Sequence, residues 1–105
     1  MSGGLLSPEL VKLMAAVAGR RDVTLGQAMH NPGLMTSGKL FAFVKDGSLV
    51  LKLPAGVIDG LVESHGAVRF DRGQGKPLRE WVVVPPSAAA DWPDLTRQAC
   101  DFVAG

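Results

Sequence analysis

Residues 40–53 read Leu-Phe-Ala-Phe-Val-Lys-Asp-Gly-Ser-Leu-Val-Leu-Lys-Leu. Asp46-Gly47 sits between two apolar runs. A two-residue hairpin turn needs positive φ at both central positions, and Asp-Gly supplies it at low steric cost. Taking that turn literally fixes a register. Val44 faces Leu49, Ala42 faces Leu51 and Leu40 faces Leu53. Directly opposed residues share a face, so all six fall on one side. The other side takes the pairs Lys45–Ser48, Phe43–Val50 and Phe41–Lys52. One face is wholly apolar; the other is mixed and carries two aromatic rings.

Upstream, Ser7 is a good N-cap, Pro8 suits the first helical position and Glu9 complements the helix dipole. Leu10, Leu13, Met14 and Val17 recur at helical spacing, which predicts a first helix near 8–18 that Gly19 ends. Residues 1–6 read as a loose arm. Residues 20–38 contain Gly26, Asn31, Pro32, Gly33 and Gly38 and read as short extended pieces between turns, with strands near 23–29 and 33–36. Downstream, Pro54 opens a second helix near 55–64, with Val57, Ile58, Leu61 and Val62 as its stripe and Gly66 as its close. Gly56 and Gly60 each cost up to ~1 kcal/mol against Ala, so this helix depends on packing. Val68 to Asp71 reads as a short strand, residues 72–77 as a flexible basic loop, and Leu78 to Val84 as a strand that Pro85-Pro86 breaks. A last helix starts between Asp91 and Pro93, with Leu95, Ala99, Phe102 and Val103 on its apolar side. The expected fold class is α+β: two layers, an antiparallel sheet of about 4–6 strands, and three helices.

Composition sets the limits. The chain has 105 residues, 47% hydrophobic and 20% charged, which is a globular composition. That length predicts a single domain over residues 1–105, able to bury one core without metal or disulfide. Lys and Arg number 11 against 10 acids, for a net charge of +1. This excludes the overall basic excess of a dedicated nucleic-acid binder. Cys100 stands alone, which excludes an intramolecular disulfide and fits a reducing, cytoplasmic setting. No run of ~18 apolar residues predicts a membrane span, and the first residues lack the basic-then-apolar pattern of a signal peptide.

Few constellations carry chemistry. Gly73-x-Gly75-Lys76 superficially suggests a phosphate loop, but Pro77 and a strand follow it, so no helix N-terminus is offered to a phosphate. His30 and His65 have no second His or Cys at ligand spacing. His65, beside Gly66 at a helix end, reads as a C-terminal cap favoured by the dipole. Ser, His and Asp make no recognisable nucleophile motif. Cys100 reads as a small buried hydrophobe. No catalytic residue, metal or cofactor is expected. Two surfaces remain. Arg69, Arg72, Lys76 and Arg79 outnumber Asp71 and Glu80; the plain reading is a solvated loop, and the functional one a site for nucleic acid or an acidic partner. The second surface is the mixed sheet face, with Phe41, Phe43, Val50, Lys52 and, if the 78–84 strand turns it to the same side, Trp81. Three helices suit one face of a small sheet and leave few residues to cover another. The expectation is an open aromatic patch, rimmed by Lys45 and Lys52, used for a protein partner or for self-association as a homodimer. The plain alternative is that a helix or the 20–38 segment covers it.

Gly33-Leu34, Gly38-Lys39-Leu40-Phe41-Ala42, Asp46-Gly47 and Leu51-Lys52-Leu53 occur in an order that resembles the N-terminal domain of the TfoX/Sxy family. Gly66-Ala67, Phe70, Gly75-Lys76, Glu80-Trp81-Val82-Val83-Val84-Pro85, Trp92 and Leu95 continue it, over about residues 8–103. Where the family has a segment like Met-Phe-Gly-Gly, this chain has Met29-His30-Asn31-Pro32. The resemblance implies a two-layer α+β fold with an antiparallel sheet. Family members with a further helical domain regulate competence genes; residues 1–105 match only the first domain, so that role does not carry over directly. The resemblance transfers no catalytic residues. It implies a non-enzymatic interaction domain, with transcriptional regulation as a setting. The alternatives are nucleic-acid binding through the basic loop and an enzyme of unrecognised type.

Overall fold

The computed structural model describes residues 8–19, 23–28, 31–71, 75 and 78–104. The Asp46-Gly47 turn forms as read, with φ of 53° and 80°, and joins β3 (Lys39–Lys45) to β4 (Ser48–Lys52). Ala42 pairs with Leu51, Phe43 with Val50, Val44 with Leu49 and Lys45 with Ser48. Before them, β1 (Val23–Ala28) pairs with β2 (Asn31–Thr36). A second two-residue turn, Ser37-Gly38 with φ of 52° and 78°, leads from β2 into β3. After β4 come β5 (Val68–Arg69) and β6 (Trp81–Val84). All six strands form one antiparallel sheet in the order β1-β2-β3-β4-β6-β5. The helices are α1 (Pro8–Ala16), α2 (Ala55–Ser64) and α3 (Trp92–Ala104), the last preceded by a 3-10 segment, Pro86–Asp91. The fold is α+β, as expected. Among the described residues no helix is long and apolar enough to cross a membrane.

Leu34, Ala42, Leu49, Leu51, Val82 and Val84 bury one sheet face against Leu13 of α1, Val17 just beyond it, Ile58 and Leu61 of α2, and Trp92, Leu95, Ala99 and Cys100 of α3. Gly66 takes the left-handed φ of 68° that ends α2, and the Ala67 N–H reaches back to the Leu61 carbonyl at 3.4 Å. Thr96, buried on α3, donates to the Trp92 carbonyl at 2.8 Å, and the Trp92 indole N–H donates to the Pro85 carbonyl at 3.3 Å.

One step of the simple alternation fails. Gly33 pairs with Phe43 and Leu34 with Ala42, but Met35 pairs with Leu40. Phe41 is the extra residue of a β-bulge, which re-aims a side chain by breaking the two-residue period. Phe41 therefore turns to the helix-covered side, where it is fully buried with Ala42, and Leu40 takes the opposite side next to Phe43. The expected pairs Phe41–Lys52 and Leu40–Leu53 do not form; the β3–β4 ladder stops at Ala42–Leu51. Gly33 makes the bulge possible. A Cβ there would stand 2.8 Å from the Ala42 carbonyl oxygen, 3.0 Å from the Phe43 Cβ and 3.1 Å from Leu40 Cδ1. Only glycine lets Leu40 and Phe43 close over β2.

The Asp46-Gly47 turn gives a direct test of register. Gly47 has open space around it but a φ of 80°, so Gly47→Val meets backbone strain and no clash. The expected loss is roughly 1–2 kcal/mol, read from the urea midpoint. An unchanged midpoint would refute the turn geometry.

Candidate functional site

The side of the sheet that carries no helix among the described residues, called the helix-free side below, is built by parity. Val50 pairs with Val83, and Val83 with Val68, which carries the Phe43 side of the sheet across to its last strand. Lys52 pairs with Trp81 on the same side. One residue past β5, the Phe70 N–H bonds the Trp81 carbonyl at 2.9 Å, and the Leu78 N–H bonds the Phe70 carbonyl at 2.8 Å. This brings Phe70 over the sheet. Its ring meets Phe43 edge-on, with centroids 5.8 Å apart at 81°, and Trp81 tilts against Phe43 at 6.0 Å. Such pairs add about 0.5–1.5 kcal/mol beyond simple burial.

The patch is therefore not open in the way its sequence suggests. Phe43 is 2% exposed and Val50 1%, because Phe70 and Trp81 roof them over. Phe41 is absent from this face altogether. Of the five residues expected there, Phe43, Val50, Lys52 and Trp81 do share it. What faces solvent is a ring around the buried centre: Leu40, Leu78, Trp81 and Val83 are half-buried, and Val68 is 58% exposed. A shallow depression of about 500 Å³ at one end is lined by Lys52, Leu78, Arg79, Glu80 and Trp81. A smaller one, about 300 Å³, lies at the other end and includes Lys45, Val50, Val68, Phe70 and Val83. Both mix apolar and charged side chains: Lys52 and Arg79 stand with Glu80 in the first, and Lys45 and Arg69 with Asp46 and Asp71 in the second.

The basic cluster divides. Arg69 reaches Asp59 of α2 and forms an ion pair there, so its charge is already answered within the chain. Arg79 is exposed at the rim of the larger depression. Arg72 and Lys76 lie outside the described residues, as do Ser7, the 1–6 arm and His30.

A different cluster went unread in the sequence. His65 is the C-cap of α2, as its position beside Gly66 suggests. Its Nδ1 lies 2.6 Å from Ser64 Oγ and its Nε2 lies 2.9 Å from Asp91 Oδ2. Ser, His and Asp thus form one chain of hydrogen bonds beside a depression of about 490 Å³. The chemistry of the place opposes nucleophilic use. Ser64 Oγ lies 2.7 Å from the Gly60 carbonyl, to which it donates. It also ends α2, where the helix dipole is negative and disfavours a developing alkoxide. The chain of bonds acts as a clasp between α2 and the 3-10 segment. Adjacent Ser64-His65 signals a helix end; Asp91, 26 positions further on, gives no local cue. Among the described residues no group of three His, Cys, Asp or Glu side chains could hold a metal ion.

No protein-family model, no curated protein and no solved structure matches this chain.

Proposed function

We propose that this chain is a small, non-enzymatic interaction domain that works by protein–protein contact through the helix-free sheet face. The observation that carries this reading is the ring of Leu40, Leu78, Trp81, Val83 and Val68 around a buried aromatic centre. All the helical core residues belong to the other side. A contiguous apolar surface rimmed by polar groups is the usual mark of a partner site, and aromatic residues with Arg at the margin are what interface centres favour. Lys52 and Arg79 against Glu80 leave that margin net positive. The partner that fits is a protein segment with apolar side chains and flanking carboxylates. The order of motifs along the chain, which resembles the TfoX/Sxy N-terminal domain, agrees with a regulatory interaction module of the two-layer kind in a cytoplasmic setting.

The test uses exposed positions, so that folding is not at stake. Val68→Glu places a carboxylate among the ring residues and Arg79→Glu reverses the rim. Each should weaken binding of a partner captured by the wild-type chain by about tenfold or more, equivalent to ~1.4 kcal/mol, with the melting temperature held. Unchanged affinity in both variants would refute the reading.

A further inference from the structure

The two edges of the sheet are protected very differently. At one end β5 is only two residues long and carries Arg69, and short or charged edges resist pairing with another chain. At the other end β1 is six residues long, Val-Thr-Leu-Gly-Gln-Ala, with no charge and no proline. Among the described residues β1 pairs with β2 alone. Leu25 in its middle is 49% exposed.

The backbone of β1 has a definite polarity. Gln27 pairs with Pro32, Leu25 with Leu34 and Val23 with Thr36. Pro32 has no N–H, so Gln27–Pro32 cannot be a pair that exchanges both hydrogen bonds; by alternation, neither can Leu25–Leu34 nor Val23–Thr36. The far end of β2 gives the same parity. Thr36 closes the two-residue turn with Lys39, so its peptide groups point to β3 and away from Val23. The N–H and C=O groups of Val23, Leu25 and Gln27 are consequently directed outward, at the open edge.

We propose that β1 pairs antiparallel with β1 of a second copy of this chain, with Leu25 opposite Leu25 at a two-fold axis. That register alone sets all three outward residues against one another: Leu25 with Leu25, and Val23 with Gln27 in both directions. Parity also matches the faces. Leu25 meets Leu25 on the helix side, where each is half out in water. Thr24 meets Gly26 on the other side, where Gly26 brings no side chain of its own against Thr24. The Met35 side chain lies over Gly26, so the space above this glycine is filled from within the chain. No like charges face each other, because the strand has none. An isologous contact closes on itself and covers the exposed edge of both copies without creating another. The contact is separate from the helix-free face and stands or falls without it.

Sedimentation analysis should show the wild-type chain as a concentration-dependent dimer. Leu25→Lys and Leu25→Glu each set two like charges opposite and should weaken dimerisation by about tenfold or more. An equimolar mixture of the two variants should restore the dimer as a heterodimer. Amide exchange supplies a readout that needs no variant: the Val23, Leu25 and Gln27 N–H groups should gain protection as concentration rises, while Thr24 and Gly26 are protected throughout. A wild-type chain that stays monomeric, with those three amides exchanging freely, would overturn the proposal. A Leu25→Lys variant that dimerises like wild type, or a mixture that stays monomeric, would overturn the register.

Discussion

Phe41→Ala is expected to cost about 3–5 kcal/mol, the range for deleting a fully buried aromatic ring and leaving a cavity. Its neighbour Leu40→Ala should cost only about 1 kcal/mol, because Leu40 is half-buried at the edge of the smaller cluster. Simple alternation along β3 predicts the reverse ranking. It sets Leu40 with Ala42 and Val44 in the main core and leaves Phe41 with Lys52 on the mixed face. The bulge beside Leu34 exchanges them. Urea unfolding of the two single variants decides between the two arrangements: equal losses, or a larger loss at Leu40, would mean that the strand runs without a bulge.

Phe43→Glu is expected to abolish the cooperative fold. Phe43 is 2% exposed, with Phe70 edge-on against it and Gly33 closely beneath. A carboxylate there has no cationic partner in the cluster of Phe43, Val50 and Phe70. Burial of an unpaired charge costs several kcal/mol, set against a total stability of about 5–15 kcal/mol for a domain. Read from the sequence alone, the same substitution looks like a gentle probe of an open surface. Phe43→Leu keeps the apolar contact and should retain a cooperative transition with a lowered midpoint. A Phe43→Glu chain that melts like wild type would show that the aromatic roof is not closed.

Much of the architecture is legible because it follows from local chemistry. Asp46-Gly47 carries its turn and register, the stripes of α2 and α3 carry their helices, and Gly66 marks a helix end. Alternation along residues 78–84 groups Trp81 with Val83, but the pairing with β4 decides that they fall on the Phe43 side, and β6 itself starts only at Trp81. What is not legible depends on contacts between distant residues. A bulge is settled by what Phe41 gains under the helices and by the missing side chain at Gly33, and neither is visible in the period of β3. Phe70 lies just beyond a two-residue strand, so nothing local shows that its ring roofs Phe43. His65 announces a cap but not its bond to Asp91. The helix-free face was thus legible as a location, while its closed centre and exposed ring were not.

The contact role of that face is tested most directly by a photo-crosslinking side chain placed at position 68, among the ring residues, and separately at Gln98, exposed on α3. Crosslinking in the native cellular mixture should give a discrete protein adduct from position 68 and none from position 98. Adding Arg79→Glu should remove it, because on the proposed reading the positive rim is what the partner's carboxylates meet. An adduct from position 98 with none from position 68, or one that survives Arg79→Glu undiminished, would contradict a partner surface on the helix-free side of the sheet.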